Sequence, residues 1–180
     1  MTTTPETPTT PATPDPVMEA IAAAVVEGHG GDTAAARRRL LELWASIGVT
    51  GDALHRCSLA HHLADLYEDP AQALAWDIRA LDAAAALTER RAQEHHADLS
   101  VAGFHPSLHL NLADCYRRLG SFEAAAEHID AAREHLHALP RAPYGDMIRG
   151  AVEEVAEAVA RQDRTPRSSA PGPVSASVSG

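Results

Sequence analysis

The sequence predicts an all-α fold, and three observations lead to that prediction. Of the 180 residues, 45% are hydrophobic and only 4% are aromatic. The apolar content is therefore largely Ala and Leu, which favour helices. Asp, Pro and Gly recur at the positions that begin and end helices. Segments in which β-branched and polar residues alternate, as strands require, are absent from the sequence. We expect about seven helices.

Each of the first four predicted helices begins at an aspartate that can cap it, namely Asp15, Asp32, Asp52 and Asp69. In the first and the fourth, the residue after the aspartate is Pro, which suits the first helical position. The first helix is expected to end at Gly28 and the second at Gly48, because Gly commonly follows the last turn of a helix.

Three more helices are predicted in the second half of the chain. The fifth runs from about Pro106 to Leu119 and ends at Gly120. The sixth is capped by Ser121 and stops before Pro140. The seventh covers roughly residues 144–161, with an apolar stripe formed by Met147 or Ile148, Val152, Val155 and Val159. Between the fourth and fifth helices, residues 88–104 have a helix-forming composition, and we expect there either a further helical stretch or an extension of a neighbouring helix, broken near Gly103.

The composition also predicts the domain organisation. Residues 1–14 are almost entirely Thr and Pro, and residues 163–180 are rich in Ser, Pro and Gly. Such segments cannot bury enough apolar surface to fold, so we expect two disordered tails around a helical domain at 15–162. The sequence has neither a secretory signal pattern nor an apolar run long enough to span a membrane. A cytoplasmic location is the default expectation.

Charge limits the classes of partner. The formal net charge is −10 at pH 7, whereas nucleic acids and anionic membranes require clustered positive charge. We therefore expect neither of them as the main partner. Because the chain has no Lys, Schiff-base chemistry and the lysine of a phosphate-binding P-loop are excluded.

An internal repeat is clearest between residues 106 and 140. It contains the pattern His109-x2-Leu112-Ala113-x2-Tyr116-x3-Gly120, followed by Ala125-x3-Ile129-x2-Ala132. This spacing of small residues, an aromatic residue and a turn glycine resembles the tetratricopeptide repeat, a helix-turn-helix unit. The small residues let the two helices approach closely, and the glycine permits the tight turn between them.

Two weaker copies precede this unit. One is centred on Ala24, and the other reads Ala60-x2-Leu63-Ala64-x2-Tyr67. The second has a shorter turn, and Asp77 occupies a position that prefers an apolar residue. The copies are 40 and 49 residues apart, against about 34 in the family. The chain thus resembles a small, divergent bacterial member of the tetratricopeptide family over about residues 17–140, with the seventh helix as its terminal cap.

The resemblance implies a non-catalytic adaptor or scaffold that binds a protein or peptide in a concave groove. In that family the first helix of each pair lines the groove with polar side chains. The groove-facing positions here would be Ser58, His61, His62, Asp65, Ser107, Asn111, Asp114 and Arg118. Their mixed charge suggests a peptide with basic or neutral character. We expect neither a catalytic residue nor a cofactor nor a metal site.

Two alternatives stay open. The eleven His residues allow a small metalloprotein or enzyme that uses a His/Asp/Cys cluster on the third and fifth predicted helices. Recognised zinc spacings are absent, however, and Cys57 and Cys115 lie in apolar runs that favour packed, unreactive thiols. The other alternative is a structural subunit that self-associates through an uncapped end of the helical array.

Overall fold

A computed structural model describes residues 15–96 and 99–167 of the protein. These residues form the helices α1 (Pro16–His29), α2 (Thr33–Ile47), α3 (Ala53–Asp65), α4 (Pro70–Ala85), α5 (Glu89–His95), α6 (His105–Leu119), α7 (Phe122–His135) and α8 (Pro143–Ala160). Two single-turn 3-10 helices, Val101–Gly103 and Leu136–Ala138, lie between them. No strand occurs in the described ranges, so the predicted all-α class is confirmed.

The seven expected helices are all present, and α5 is the further helical stretch expected within residues 88–104. Thr88 begins α5 by accepting a hydrogen bond from the backbone N–H of Arg91 at 3.2 Å. The following 3-10 turn ends at Gly103, where a break was predicted. The predicted tail at 1–14 and residues 168–180 of the second tail lie outside the described residues.

The aspartate caps are confirmed by their geometry. The Oδ1 atoms of Asp15, Asp32, Asp52 and Asp69 accept backbone N–H bonds from the first turns of α1 to α4, at 3.2, 2.9, 3.1 and 2.7 Å. These bonds satisfy donors that the helix itself leaves unpaired. Ser121 precedes α7 as predicted, but its side chain makes no capping bond there.

The helices pack mainly on neighbours along the chain. Helix α1 packs on α2, α3 on α4, and α6 on α7, while α4 also packs on α6, and α8 on both α6 and α7. Small side chains allow the close approach of α6 and α7, because Ala113 and Ala125 are completely buried. Gly120 joins these two helices with a positive φ of 86°, a conformation that suits a residue without a Cβ atom.

The apolar stripe of α8 faces the core. Ile148, Val152 and Val155 are buried there, whereas Met147 is exposed, so the stripe runs through Ile148. The opposite face carries exposed glutamates. After α8, residues 163–167 continue in a non-helical conformation against α6 and α8, although the sequence assigned them to a disordered tail. Within the described ranges, none of the helices is long and apolar enough to cross a membrane.

Candidate functional site

A cluster of polar side chains lies inside the Ala-rich core where α3, α4 and α6 meet. His61 of α3, Asp77 of α4 and Asn111 of α6 are only 3%, 1% and 8% exposed. Buried polar groups of this kind cost free energy unless they are hydrogen-bonded or paired. The three positions are 16 to 50 residues apart in the sequence, and helix packing brings them together.

Asn111 is the centre of this cluster. Its Nδ2 atom lies 3.3 Å from Oδ1 of Asp65, 3.4 Å from Oδ1 of Asp77 and 3.4 Å from Nδ1 of His61. The amide therefore donates toward acceptors on two other helices, α3 and α4. On the far side of Asp77, the thiol of Cys115 donates to Oδ2 at 3.5 Å.

The ionisation of His61 and Asp77 is coupled, because their Nδ1 and Oδ1 atoms are 3.8 Å apart. Burial by itself would lower the pKa of His61, but its contact with Asp77 and the negative charges of Asp65 and Asp77 outweigh burial and raise that pKa. Burial raises the pKa of Asp77, while His61 opposes the rise. The Nε2 atom of His61 is buried and has no hydrogen-bond partner.

Asp65 connects this interior cluster to the surface, because it bonds to Asn111 and is itself exposed. Partial burial of the carboxylate, which disfavours its charged form, and the negative charge of Asp77 raise the pKa of Asp65. Access of solvent to the carboxylate limits the size of that shift. Asp65 therefore offers a carboxylate to solvent while a buried amide holds its position.

Asp65 lines a surface cleft of about 410 Å³ between the start of α2 and the end of α3. The other lining residues are Thr33, Ala34, Arg37, Leu66, Tyr67 and Glu68. The guanidinium of Arg37 lies 4.5 Å from the centre of the Tyr67 ring and donates to the carbonyl of Leu66. Arg118 of α6 donates to the carbonyl of Glu68 at the same edge. The cleft thus combines two carboxylates with an aromatic ring and an arginine.

The remaining predicted site residues are more scattered. Ser58 and His62 are half-buried on α3, and burial together with the charges of His61 and His29 lowers the pKa of His62. Ser107 is buried and donates to the carbonyl of Phe104 at 3.1 Å. Asp114 accepts from the buried Arg117 at 2.6 Å, one turn beyond Asn111. Four of the eight predicted residues, His61, Asp65, Asn111 and Arg118, therefore belong to the cluster or border the cleft.

Asp77 was not among the predicted site residues, although it completes the buried cluster. The signal in the sequence was its charge at a position that prefers an apolar residue. Such an exception on the inner side of a helix indicates a buried polar contact, but it does not identify the partner. Glu68 was missed as a cleft residue because it follows the last turn of α3, and Tyr67 was missed because the repeat pattern assigned it to packing between helices.

Both thiols are buried. Burial raises the pKa of Cys57 to about 12, and burial together with the carboxylate of Asp77 raises the pKa of Cys115 further. Because the thiolate is the reactive form, neither side chain is prepared for nucleophilic attack at neutral pH.

Histidines also gather on the facing sides of α6 and α7. The Nδ1 atoms of His109 and His128 are 2.9 Å apart, and the rings of His105 and His135 stack at 4.6 Å. Burial, followed by the charges of its histidine neighbours, lowers the pKa of His109 to about 4. No group of three or more His, Cys, Asp or Glu in residues 15–96 and 99–167 is placed to hold a metal ion.

Comparison of the chain with models of protein families, with curated proteins and with solved structures gives no match. The resemblance to tetratricopeptide repeats therefore stays a prediction that depends on residue spacing.

Proposed function

We propose that this protein is a non-catalytic binding module that holds an extended, basic segment of a peptide or partner protein. Helices that pack in successive pairs, with Ala at the close contacts and a glycine turn between α6 and α7, support a short array of tetratricopeptide-like units. Arrays of this kind bind along a surface that several helices share.

The cleft beside Asp65 is the observation that carries this proposal. Its two carboxylates, Asp65 and Glu68, outnumber its one guanidinium, that of Arg37, which already stacks on the ring of Tyr67, and they therefore favour a cationic side chain. A volume of about 410 Å³ suits one or two side chains of a peptide better than a large cofactor. The net charge of −10 attracts basic ligands over longer distances.

Different residues have different roles in this proposal. Asp65 contacts the ligand directly, and Arg118 shapes the edge of the cleft through its bond to the carbonyl of Glu68. His61 and Asn111 are too buried for direct contact. They act as positioning residues, because Asn111 fixes the carboxylate of Asp65 and His61 packs beside that amide.

An array of synthetic peptides that differ in net charge tests the proposal. The wild-type chain should retain peptides rich in Arg or Lys. Asp65→Asn should weaken this retention about five- to tenfold, because losing a partly exposed charge contact costs about 1–1.5 kcal/mol. The substitution keeps an oxygen that can accept from Asn111.

The matched control is Asp82→Asn, which removes the same charge from an exposed position on α4 that does not line the cleft. It should leave peptide retention unchanged. Equal loss in both variants would assign the effect to net charge and contradict the proposed site. Failure of the wild-type chain to retain any class of peptide would contradict the proposed function itself.

A further inference from the structure

The chain that follows α8 lies against α6 in a non-helical conformation. This segment, residues 163–167, is held mainly through Arg117 of α6. Arg117 is only 1% exposed, and Asp114 fixes its guanidinium with contacts at 2.6 and 3.2 Å. The same guanidinium donates to the backbone carbonyls of Asp163 at 2.5 Å and Thr165 at 2.9 Å.

Arg117 therefore recognises main-chain atoms. Bonds to backbone carbonyls do not depend on the side chains of the residues that supply them. Two further contacts do depend on side chains. Arg164 donates from Nε to the carbonyl of Arg118 at 3.0 Å, and Arg167 pairs with Glu154 of α8 at 3.1 Å.

This contact adjoins the cleft beside Asp65. The side chain of Arg118 bonds to the carbonyl of Glu68, which lines the cleft, while the carbonyl of Arg118 accepts from Arg164 of the segment. A peptide that left the cleft along α6 would meet residues 163–167 at this point. Asp114 and Arg118, which the sequence predicted to bind a partner, thus serve the chain's own segment in this structure.

We propose that residues 163–167 are an internal occupant of the peptide-binding surface and compete with an external ligand for it. The segment has the basic character of the ligand proposed above, because it carries Arg164 and Arg167, and its backbone is non-helical. This inference rests on the proposed function and adds a form of regulation: a partner gains access to the α6 surface only when the segment is displaced.

The strength of the competition follows from the tether. A short tether gives the segment an effective concentration on the order of 1 mM. If the segment is bound about nine times in ten, the same peptide added from outside has an intrinsic dissociation constant of about 0.1 mM, and its apparent affinity falls about tenfold. Removal of the Arg164 and Arg167 side chains leaves the Arg117 contacts in place. We therefore expect the segment to be bound about half the time and the affinity for the added peptide to rise about fivefold.

The test uses the full chain and a synthetic peptide that copies residues 161–167. Binding is measured by NMR titration for the wild-type chain and for the double variant Arg164→Ala/Arg167→Ala. The matched control is Arg90→Ala/Arg141→Ala, which removes the same charge from two exposed positions away from α6. Circular dichroism checks that each variant keeps its helix content.

The expected result is about fivefold tighter binding of the peptide by the double variant than by the wild-type chain and the control. Equal affinity in all three proteins, or no binding by any of them, would overturn the proposal, as would equal tightening in the control. These outcomes are separate from the array experiment, in which Asp65→Asn tests the cleft. Charge-selective retention in the array with no gain in the double variant would contradict the internal competitor alone.

Discussion

Replacement of Arg91 should destabilise the protein far more than replacement of its neighbour Arg90. The guanidinium of Arg91 on α5 bonds to Asp52 at 2.7 Å and to Asp15 at 2.8 Å, and these two aspartates cap α3 and α1. His55 also bonds to Asp15 at 2.9 Å. One side chain thus ties the segment between α4 and α6 to the beginnings of two other helices.

The expected loss of stability in Arg91→Ala follows from how deeply its ion pairs are buried. Arg91 is 22% exposed, and it makes charge-assisted bonds with Asp15 and Asp52, which are 15% and 31% exposed. A charged hydrogen bond contributes about 1.5–3 kcal/mol when buried and about 0.2–1 kcal/mol when exposed. For two intermediate bonds we expect Arg91→Ala to lower the free energy of unfolding by about 2–3 kcal/mol. Arg90 is 84% exposed and, among the described residues, forms an ion pair with Glu94 alone, so its replacement should cost about 0.5 kcal/mol or less.

The two variants should also differ in their response to pH. Burial opposes ionisation of Asp15 and Asp52, but hydrogen bonds with His55 and Arg91 outweigh it and hold both pKa values below the ordinary 3.8. A carboxylate with a lowered pKa in the folded state contributes stability above its unfolded pKa and loses that contribution as the pH falls through the folded value. The cost of Arg91→Ala should therefore be fully present near neutral pH and shrink as the pH falls below about 4, the ordinary Asp pKa.

Urea unfolding followed by far-UV circular dichroism measures both effects, at about pH 7 and at about pH 3. Arg90→Ala serves as the control for loss of one arginine from the same helix. Equal costs for the two substitutions near neutral pH would refute the reasoning. A cost of Arg91→Ala that stayed the same at both pH values would refute the assignment to Asp15 and Asp52.

Two further predictions concern glycine and histidine positions. A Cβ atom on Gly145 would lie 2.0 Å from the carbonyl oxygen of Pro140, whereas one on Gly150 of the same helix would meet open space. Gly145→Ala should therefore lower the free energy of unfolding by about 1–3 kcal/mol, whereas Gly150→Ala should raise it by about 0.5–1 kcal/mol. Thermal unfolding measures both changes, and two changes of the same sign would contradict this contrast. Because the pKa of His109 is lowered to about 4, its burial removes stability as the pH falls from its unfolded pKa of about 6.5 toward 4. His109→Gln, which can still bond to His128, should reduce this loss in urea titrations across that pH range, and an unchanged pH dependence would contradict the assignment.

The fold class and most helix ends could be predicted because their causes are local. An aspartate caps a helix through backbone N–H groups two or three residues away, as Asp69 does for α4. Gly120 ends α6 through its own backbone conformation. Both signals can be read within a few residues of sequence, without knowledge of the packing.

The candidate site was predicted only in part because its contacts are distant in sequence. His61, Asp65 and Asn111 were selected by their repeat positions, and helix packing brings them into contact. That spacing could not show that His61 and Asn111 would be buried, since burial depends on how α4 packs against α6. Arg91 had no signal at all, because its partners Asp52 and Asp15 lie 39 and 76 residues away.

The buried cluster limits how the helices around the cleft can move. Asn111 has two amide hydrogens but three neighbouring acceptors, on His61, Asp65 and Asp77. Protonation of His61 relieves this shortage of hydrogen-bond donors, because it removes one of the three acceptors. The positive charge of the protonated ring also offsets the negative charge of the carboxylates. Apolar side chains of similar volume would fill the same space with comparable stability, but they would not require one relative position of α3, α4 and α6. The polar contacts do require it, and the position of the Asp65 carboxylate at the cleft is therefore tied to the packing of all three helices.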